Sequence, residues 1–234
     1  MTAKFVLSEL LSVANPKKAE FLKGFFKTGK GQYAEGDVML GIVVPQVRDI
    51  VKNNKGIPLS EIQILLESEF HEARLAGLLF LVQQFKKSKK EEERKEIFDF
   101  YLKNAKRANN WDLVDVTCRD VIGGYLLDKG DRDILYKLAE SDNLWEQRIA
   151  IVSTWTFIKY KDYTETLALS EKLLNHKHDL MHKAVGWMLR EVGKKDKETL
   201  VGFLEIHYKN MPRTALRYAI EHFSAEEKAY FMKK

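Results

Sequence analysis

The stretch WEQRIA at residues 145–150 decides the fold, because variants of it recur along the chain. The other copies are HEARLA at 71–76, NWDLV at 110–114, MHKAV at 181–185 and MPRTA at 211–215. One aligned position is occupied in turn by Arg74, Trp111, Arg148, Lys183 and Arg213. The spacings of 37, 37, 35 and 30 residues indicate a helical array, in which each unit buries its apolar face against its neighbours.

The remaining sequence predicts helices nearly throughout. Each of the four prolines lies where a helix could begin: Pro16, Pro45, Pro58 and Pro212. Residues 29–41 hold four of the thirteen glycines and are predicted as the longest loop. We predict helices at 5–14, 16–28, 45–54, 58–68, 70–86, 89–107, 110–127, 131–140, 144–160, 163–174, 179–193, 196–209, 212–222 and 225–233. Two helices per repeat follow, so the prediction is one all-α domain, residues 1–234, built as a helical-repeat solenoid.

A stripe of side chains is predicted along one concave face of this array. Residues four apart on a helix share a face. Four residues beyond the aligned positions lie Leu78, Asp115, Val152, Trp187 and Arg217. Packed helices lie about 8–10 Å apart, so these pairs should form a mostly cationic row with Trp111, Asp115 and Trp187 near its centre. Cations bind a phosphate backbone, but a carboxylate repels it, so Asp115 needs its own explanation.

Composition describes a mildly basic protein. Hydrophobic residues make up 45% of the sequence, the formal net charge is +5 and the pI is about 9.0, which is compatible with nucleic acid without requiring it. The lone Cys118 excludes an intrachain disulfide and a multi-cysteine zinc site. The sequence shows no secretory signal and no apolar run of roughly 18 residues. We therefore expect a soluble, cytoplasmic, monomeric protein that does not contact membranes.

Two carboxylates follow Asn110 and invite different interpretations. Asn110 is a good N-cap, which places Asp112 in the first turn of a helix, where negative charge is favoured by the helix dipole. We therefore expect Asp112 to be structural. Asp115 lies a turn further along, and two interpretations stay open: a functional carboxylate on the stripe, or a carboxylate paired with Arg148 or Arg119.

The indoles and cations of the stripe are candidate binding residues. Trp111 and Trp187 could be ordinary core residues, but their place among cations favours binding, because an indole packs on bases or sugars and attracts cations. The cations that would contact phosphates are Arg148, Lys183, Arg213 and Arg217, with Arg74 in the same series. Any one of them could instead be an ordinary surface cation.

Other motifs are weaker. His176, His178 and His182 lack the companion residues of a motif such as HExxH, so we predict no metal site. Cys118 is expected to be a buried, inert thiol, and Gly123-Gly124 to permit close helix approach. The sequence has no phosphate-binding loop, dinucleotide fingerprint or serine-nucleophile motif, and we expect no cofactor.

Several runs resemble one known family. NWDLVD at 110–115, NLWEQR at 143–148 and KAVGWMLRE at 183–191 resemble the bacterial AlkD-like DNA alkylation-repair family. GDVMLGI at 36–42, followed by Pro45 and Arg48, is also similar to that family. The resemblance implies a HEAT-like solenoid in the bacterial cytoplasm, associated with the nucleoid. It also implies glycosylase activity on N3- and N7-alkylated purines in double-stranded DNA, without a metal and on a nucleotide that stays stacked.

The same resemblance implies roles for individual residues. Trp111, Asp115 and Trp187 match catalytic-site positions, and Arg148 matches a DNA-binding position beside them. The full set of expected DNA-binding residues is Arg74, Arg148, Lys183, Arg190, Arg213 and Arg217.

Two other functions stay open. Some members of the wider family lack detectable glycosylase activity and bind branched DNA, so the alternative is a non-catalytic protein that recognises bent or branched DNA. The third is a protein-interaction scaffold, because helical repeats often bind peptides. Salt-dependent DNA binding separates the first two functions from the third, and base release separates the first from the second.

Overall fold

A computed structural model describes residues 1–233, and their regular structure is helical. An isolated parallel bridge between Val38 and Phe70 is the β-type pairing found there. The all-α prediction is confirmed. The chain divides into two compact units, Met1–Thr117 and Cys118–Lys234. No helix within the described part of the chain combines the length and apolarity that a bilayer crossing needs.

The first unit is organised around α5. Its helices are α1 (Ala3–Ser12), α2 (Pro16–Phe26), α3 (Val44–Asn53), α4 (Leu59–Glu67), α5 (His71–Lys87), α6 (Glu91–Lys103) and α7 (Trp111–Asp115), with a 3₁₀ turn at Ala105–Arg107. Thirteen of the seventeen residues of α5 are buried, because α1, α3, α4, α6 and α7 all pack against it. The segment between α2 and α3, residues 27–43, is the loop expected from its glycines.

The second unit is organised around α13. After a π-helical turn at Arg119–Gly123 come α8 (Gly124–Leu126), α9 (Asp133–Ala139), α10 (Leu144–Ser153), α11 (Trp155–Lys159), α12 (Thr164–Leu173), α13 (Asp179–Lys195), α14 (Lys197–His207), α15 (Arg213–Ala219) and α16 (Ala225–Phe231). Helix α13 packs against α10, α11, α12, α14 and α15. The apolar segment 144–160 is covered as expected: Ile149, Val152 and Phe157 are fully buried.

The repeat copies fall at the starts of helices that pack on one another within each unit. Copies begin α5, α7, α10, α13 and α15. Helix α5 contacts α7 in the first unit, and α13 contacts both α10 and α15 in the second. The α13–α15 approach is close because of Gly186: a Cβ there would lie 2.4 Å from the Ala215 carbonyl oxygen. Gly123 likewise allows the close approach expected of it, since a Cβ would lie 2.3 Å from the Ser153 oxygen.

Three segments expected to be single helices are interrupted. The first, 89–107, ends as α6 at Lys103 and is followed by the 3₁₀ turn at Ala105–Arg107, and the other two break at a threonine. The predicted helix 110–127 ends as α7 at Asp115 and resumes near Cys118, and the predicted helix 144–160 breaks at Thr154. At each of these two breaks a buried threonine hydroxyl donates to a main-chain carbonyl, Thr117 to Leu113 and Thr154 to Ile151. Such bonds compete with the helical ladder and bend or end helices.

Candidate functional site

The short helix α7 presents Trp111 and Asp115 on one side. The Asn110 side chain accepts a hydrogen bond from the Trp111 amide at 2.8 Å, which confirms Asn110 as the N-cap. Trp111 and Asp115 are partly exposed, whereas the three residues between them are buried. Because residues four apart share a helix face, the indole and the carboxylate lie on the same partly exposed edge.

Asp112 is structural, as expected, but its partner is a histidine. The side chain is buried, and its Oδ2 lies 2.9 Å from Nε2 of His71. The other ring nitrogen of His71, Nδ1, lies 3.1 Å from Oδ2 of Asp37 in the 27–43 loop. An ionised carboxylate only accepts, so both ring nitrogens donate, and His71 is held as an imidazolium. Asp112 thus joins α7 to α5.

The electrostatics of this cluster favour the charged forms of His71 and Asp37. Burial disfavours protonation of His71, but hydrogen bonds and charge from Asp112 and Asp37 outweigh it and raise the pKa of His71 to about 9. Burial acts against ionisation of Asp37 too. Hydrogen bonds from His71 and Asn109 and the charge of Arg74 nevertheless hold the pKa of Asp37 below its ordinary 3.8. The cluster of Asp37, His71, Arg74 and Asp112 is therefore a buried set of four charges.

Aromatic rings surround Trp111. The indole stacks on Phe26 with ring centroids 5.4 Å apart and meets the edge of Phe25 at 5.8 Å. Phe26 also contacts the His71 ring, at 5.0 Å. These rings border a largely apolar cavity of about 340 Å³, to which Met39 and Asp112 also contribute. The cavity therefore adjoins the indole of the candidate site.

Arg74, predicted to bind DNA, is buried in the structure. The residue is only 4% exposed. Its Nη2 donates to Asp37 at 2.6 Å, its Nε to Asn109 at 3.0 Å, and its Nη1 to the carbonyls of Ser68 and Glu69 at 2.9 and 3.0 Å. All of its guanidinium nitrogens are engaged inside the first unit, so Arg74 is not placed to bind a phosphate.

Arg148 is also internal rather than part of an exposed stripe. It is 4% exposed, and its Nη1 donates to the Leu180 carbonyl in the first turn of α13 at 2.6 Å. Leu78 and Val152, which share its predicted row, are fully buried. The reason is that the helices that carry the aligned positions pack on several sides, so the aligned face is interior at these copies.

The second unit presents Trp187 with a group of cations. Trp187 and Lys183 lie four residues apart on α13 and are partly exposed, and Lys183 pairs with Asp179 at 2.7 Å. Arg190 pairs with Glu221, and its Nε lies 3.5 Å from Glu191. The last two expected DNA contacts are on α15: Arg213, which donates to the Met232 carbonyl, and Arg217, which is exposed.

The three histidines near the start of α13 make hydrogen bonds within the protein. His176 Nε2 lies 2.8 Å from the Gln147 side-chain oxygen, and His178 caps α13 by accepting from the Leu180 amide at 3.1 Å. His182 bonds to the His176 carbonyl. Residues 1–233 contain no cluster of three or more His, Cys, Asp or Glu arranged to hold a metal ion. Cys118 is a buried free thiol.

The structure thus brings together two pairs of expected site residues, each within its own unit: Trp111 with Asp115 on α7, and Lys183 with Trp187 on α13. It also contains supporting residues that the sequence did not identify, namely His71, Asp37 and Phe26. His71 opens the first repeat copy, but nothing in a single sequence pairs it with carboxylates 34 and 41 residues away.

Comparisons with known proteins identify a family and a related fold. A model of the family described as DNA alkylation repair enzyme matches residues 6–223. None of the curated proteins matches the sequence significantly. Among solved structures, the chain is similar to a predicted DNA alkylation repair enzyme from Enterococcus faecalis, with 17% identity and a TM-score of 0.69 over 91% of this chain and 97% of that one. At that identity the likeness bears on the fold alone. Because the family model covers nearly the whole chain, the protein belongs to the DNA alkylation repair enzyme family.

Proposed function

We propose that the protein is a DNA glycosylase that hydrolyses the N-glycosidic bond of N3- and N7-alkylated purines in double-stranded DNA. Membership of an alkylation-repair family gives it a role in alkylation repair. The observation that carries the finer proposal is the edge of α7, where a partly exposed indole and a partly exposed carboxylate, Trp111 and Asp115, flank three buried residues.

Asp115 is the proposed catalytic carboxylate. An alkylated purine carries positive charge and is already a good leaving group, so the bond from C1′ to the base nitrogen breaks with its electron pair on the base. The sugar then gains oxocarbenium character. A carboxylate stabilises that cation and accepts a proton from the water that attacks C1′, the role that carboxylates have in glycoside hydrolysis. The products are the neutral free base and an abasic sugar.

The indoles of Trp111 and Trp187 are proposed to pack against the sugar and backbone of the lesion. An aromatic face attracts positive charge, so this contact strengthens as the sugar becomes cationic. Phe26 and Phe25 support the Trp111 ring from within the first unit. The apolar setting of the indole favours a contact by packing rather than by hydrogen bonding.

The phosphate contacts are proposed for Lys183, Arg190, Arg213 and Arg217. Arg74 is left out because all its donors are used internally. Arg148 is assigned a supporting role, since its bond to the Leu180 carbonyl fixes the start of the helix that bears Lys183 and Trp187. About four phosphate contacts predict that log K falls with log salt concentration with a slope of roughly −4. A flat salt response would contradict DNA docking through these cations.

Single-turnover release of 7-methylguanine from a methylated duplex tests the proposal directly. Asp115→Asn should lower the rate about 10²-fold or more, the usual effect of losing an electrostatic stabiliser, and leave DNA affinity intact. The matched control is Asp99→Asn, which makes the same change at an exposed carboxylate on α6 and should behave as wild type. An unchanged rate in Asp115→Asn removes that residue from the chemistry.

The same assay decides between the remaining functions. Salt-dependent DNA binding without base release would favour a non-catalytic protein, and competition between duplex and four-way-junction DNA would then test recognition of branched DNA. Absence of salt-dependent DNA binding would leave the protein-interaction scaffold.

A further inference from the structure

The buried four-charge cluster connects three separate segments of the first unit. Asp37 belongs to the 27–43 loop, His71 and Arg74 to α5, and Asp112 to α7. The His71 side chain is 2% exposed, and its carboxylate partners are 5% and 6% exposed. A cluster so deeply enclosed does not reach DNA, and it has no part in the proposed bond cleavage.

Helix α7 depends on such anchors. It has five residues, and an isolated helix of that length is unstable because nucleation is unfavourable. Among the described residues, Asp112 receives its hydrogen bond from His71, and its Oδ1 has no partner. Asp112 stands between Trp111 and Asp115 in the same short helix, so a shift of Asp112 moves both neighbours.

A second route links His71 to the indole. The Phe26 ring contacts the imidazole at 5.0 Å and stacks on Trp111 at 5.4 Å. Phe26 is 8% exposed, so its ring is enclosed and has little room to reorient independently. The orientation of the imidazole therefore bears on Trp111 through the backbone of α7 and through this ring.

We propose that His71 is a positioning residue of the repair site: with both ring nitrogens donating, to Asp37 and to Asp112, it fixes α7 and so orients Trp111 and Asp115. The chemical role of Trp111 and Asp115 rests on the proposed function, whereas their positioning by His71 can be measured without catalysis. Loss of the second ring proton leaves one carboxylate without a donor, and the bridge from α5 to the loop or to α7 opens.

The protonation state of His71 decides whether the bridge to Asp37 and Asp112 is intact. The charged groups that act on the imidazole are Asp37 from the loop and Asp112 from α7. On its own helix, Arg74 is paired with Asp37, and Glu72 accepts from loop amides. Helix α2 brings the uncharged Phe26. The raised pKa of His71, about 9, means that the bridge is intact at neutral pH and opens as the pH rises through that value.

The test of positioning uses ¹⁹F NMR of protein labelled with 5-fluorotryptophan. The chain has four tryptophans, and Trp111→Phe assigns the resonance of interest. Trp155, which stacks on Arg119 at 4.6 Å in the second unit, provides the internal reference. We expect the Trp111 resonance to titrate with a midpoint near 9. In Asp112→Asn, which removes one carboxylate charge without changing shape, the midpoint should fall by about one pH unit or more.

Kinetics of base release give the second readout. With enzyme in excess and DNA saturating, the rate should fall about tenfold between pH 8 and pH 10, as a one-proton titration near 9 requires. Asp112→Asn should move this decline to lower pH, while Asp99→Asn should not. DNA affinity, measured in the same buffers, separates a slower bond cleavage from a loss of DNA binding at high pH.

The possible outcomes separate the positioning role of His71 from the glycosylase proposal. A Trp111 resonance that does not titrate between pH 7 and 10, or that titrates alike in wild type and Asp112→Asn, overturns the positioning role. If the resonance titrates as expected but no base is released at any pH, the glycosylase proposal is wrong and the positioning of Trp111 by His71 stands.

Discussion

Replacement of Gly186 by alanine should loosen the packing of α13 on α15. A Cβ at this position would lie 2.4 Å from the Ala215 carbonyl oxygen and 2.6 Å from the Tyr218 Cβ. These are main-chain and Cβ atoms, which cannot rotate away as the end of a long side chain can. Because α13 carries Lys183 and Trp187, the substitution also displaces candidate site residues.

The expected loss of stability follows from two opposing terms. Overpacking of a close contact costs about 1–3 kcal/mol, and contact with a backbone carbonyl indicates the upper end of that range. Alanine is favoured over glycine in a helix interior by about 1 kcal/mol. The net prediction is a decrease of roughly 2 kcal/mol in the free energy of unfolding. For a chain of this size this corresponds to a Tm lower by about 4–8 °C.

Gly202 provides the matched control. It lies within α14, and a Cβ there would meet no atom within 4 Å. Gly202→Ala should therefore raise stability by about 1 kcal/mol through helix propensity alone. Urea unfolding followed by circular dichroism, with calorimetry for Tm, should separate the two variants by about 3 kcal/mol. Equal stability of Gly186→Ala and Gly202→Ala would refute the close α13–α15 contact.

Three further perturbations test the first unit. Glu72→Gln should lower the free energy of unfolding by about 2–3 kcal/mol and speed proteolysis of the 27–43 loop. The reason is that the buried carboxylate accepts hydrogen bonds from three loop amides, those of Leu40, Gly41 and Ile42, at 2.8, 2.8 and 3.1 Å. An unchanged rate of cleavage would contradict this. The pKa of His71 is raised from 6.5 to about 9 in the folded protein. Its contribution to the free energy of unfolding, roughly 3 kcal/mol, is therefore complete below pH 6.5 and lost as the pH rises through 9. Urea unfolding at pH 6 and 10 should show this loss in wild type and not in His71→Gln. The pKa of Asp37 is lowered instead, so its contribution is present above pH 3.8 and lost as the pH falls through the folded value, and an acid-unfolding midpoint unaffected by Asp37→Asn would contradict that assignment.

The sequence predicted most of the helices because their signals are local. Pro16 begins α2, and Pro45 lies in the first turn of α3. Pro58 and Pro212 are the N-cap residues of α4 and α15. The breaks at Thr117 and Thr154 were missed because threonine is tolerated within helices, and the bond from its hydroxyl to a carbonyl depends on the local packing.

The site was predicted less completely, for a physical reason. Spacing identifies which residues share a helix face, but not whether a neighbouring helix covers that face. The edge of α7 is partly open at Trp111 and Asp115. By contrast, Arg74 and Arg148, which occupy the position equivalent to Trp111 in their repeat copies, are 4% exposed. The partners of His71 come from distant parts of the chain, so only the folded structure brings them together.

The buried cluster also constrains how the protein can diverge. Its two cations, His71 and Arg74, balance two carboxylates, Asp37 and Asp112. Replacement of one member strands an opposite charge in the interior, which costs several kcal/mol, whereas an apolar replacement of a whole pair can be neutral. A related protein with an aliphatic residue at the position of His71 should therefore also lack one of the carboxylates. These four positions should be kept or replaced together.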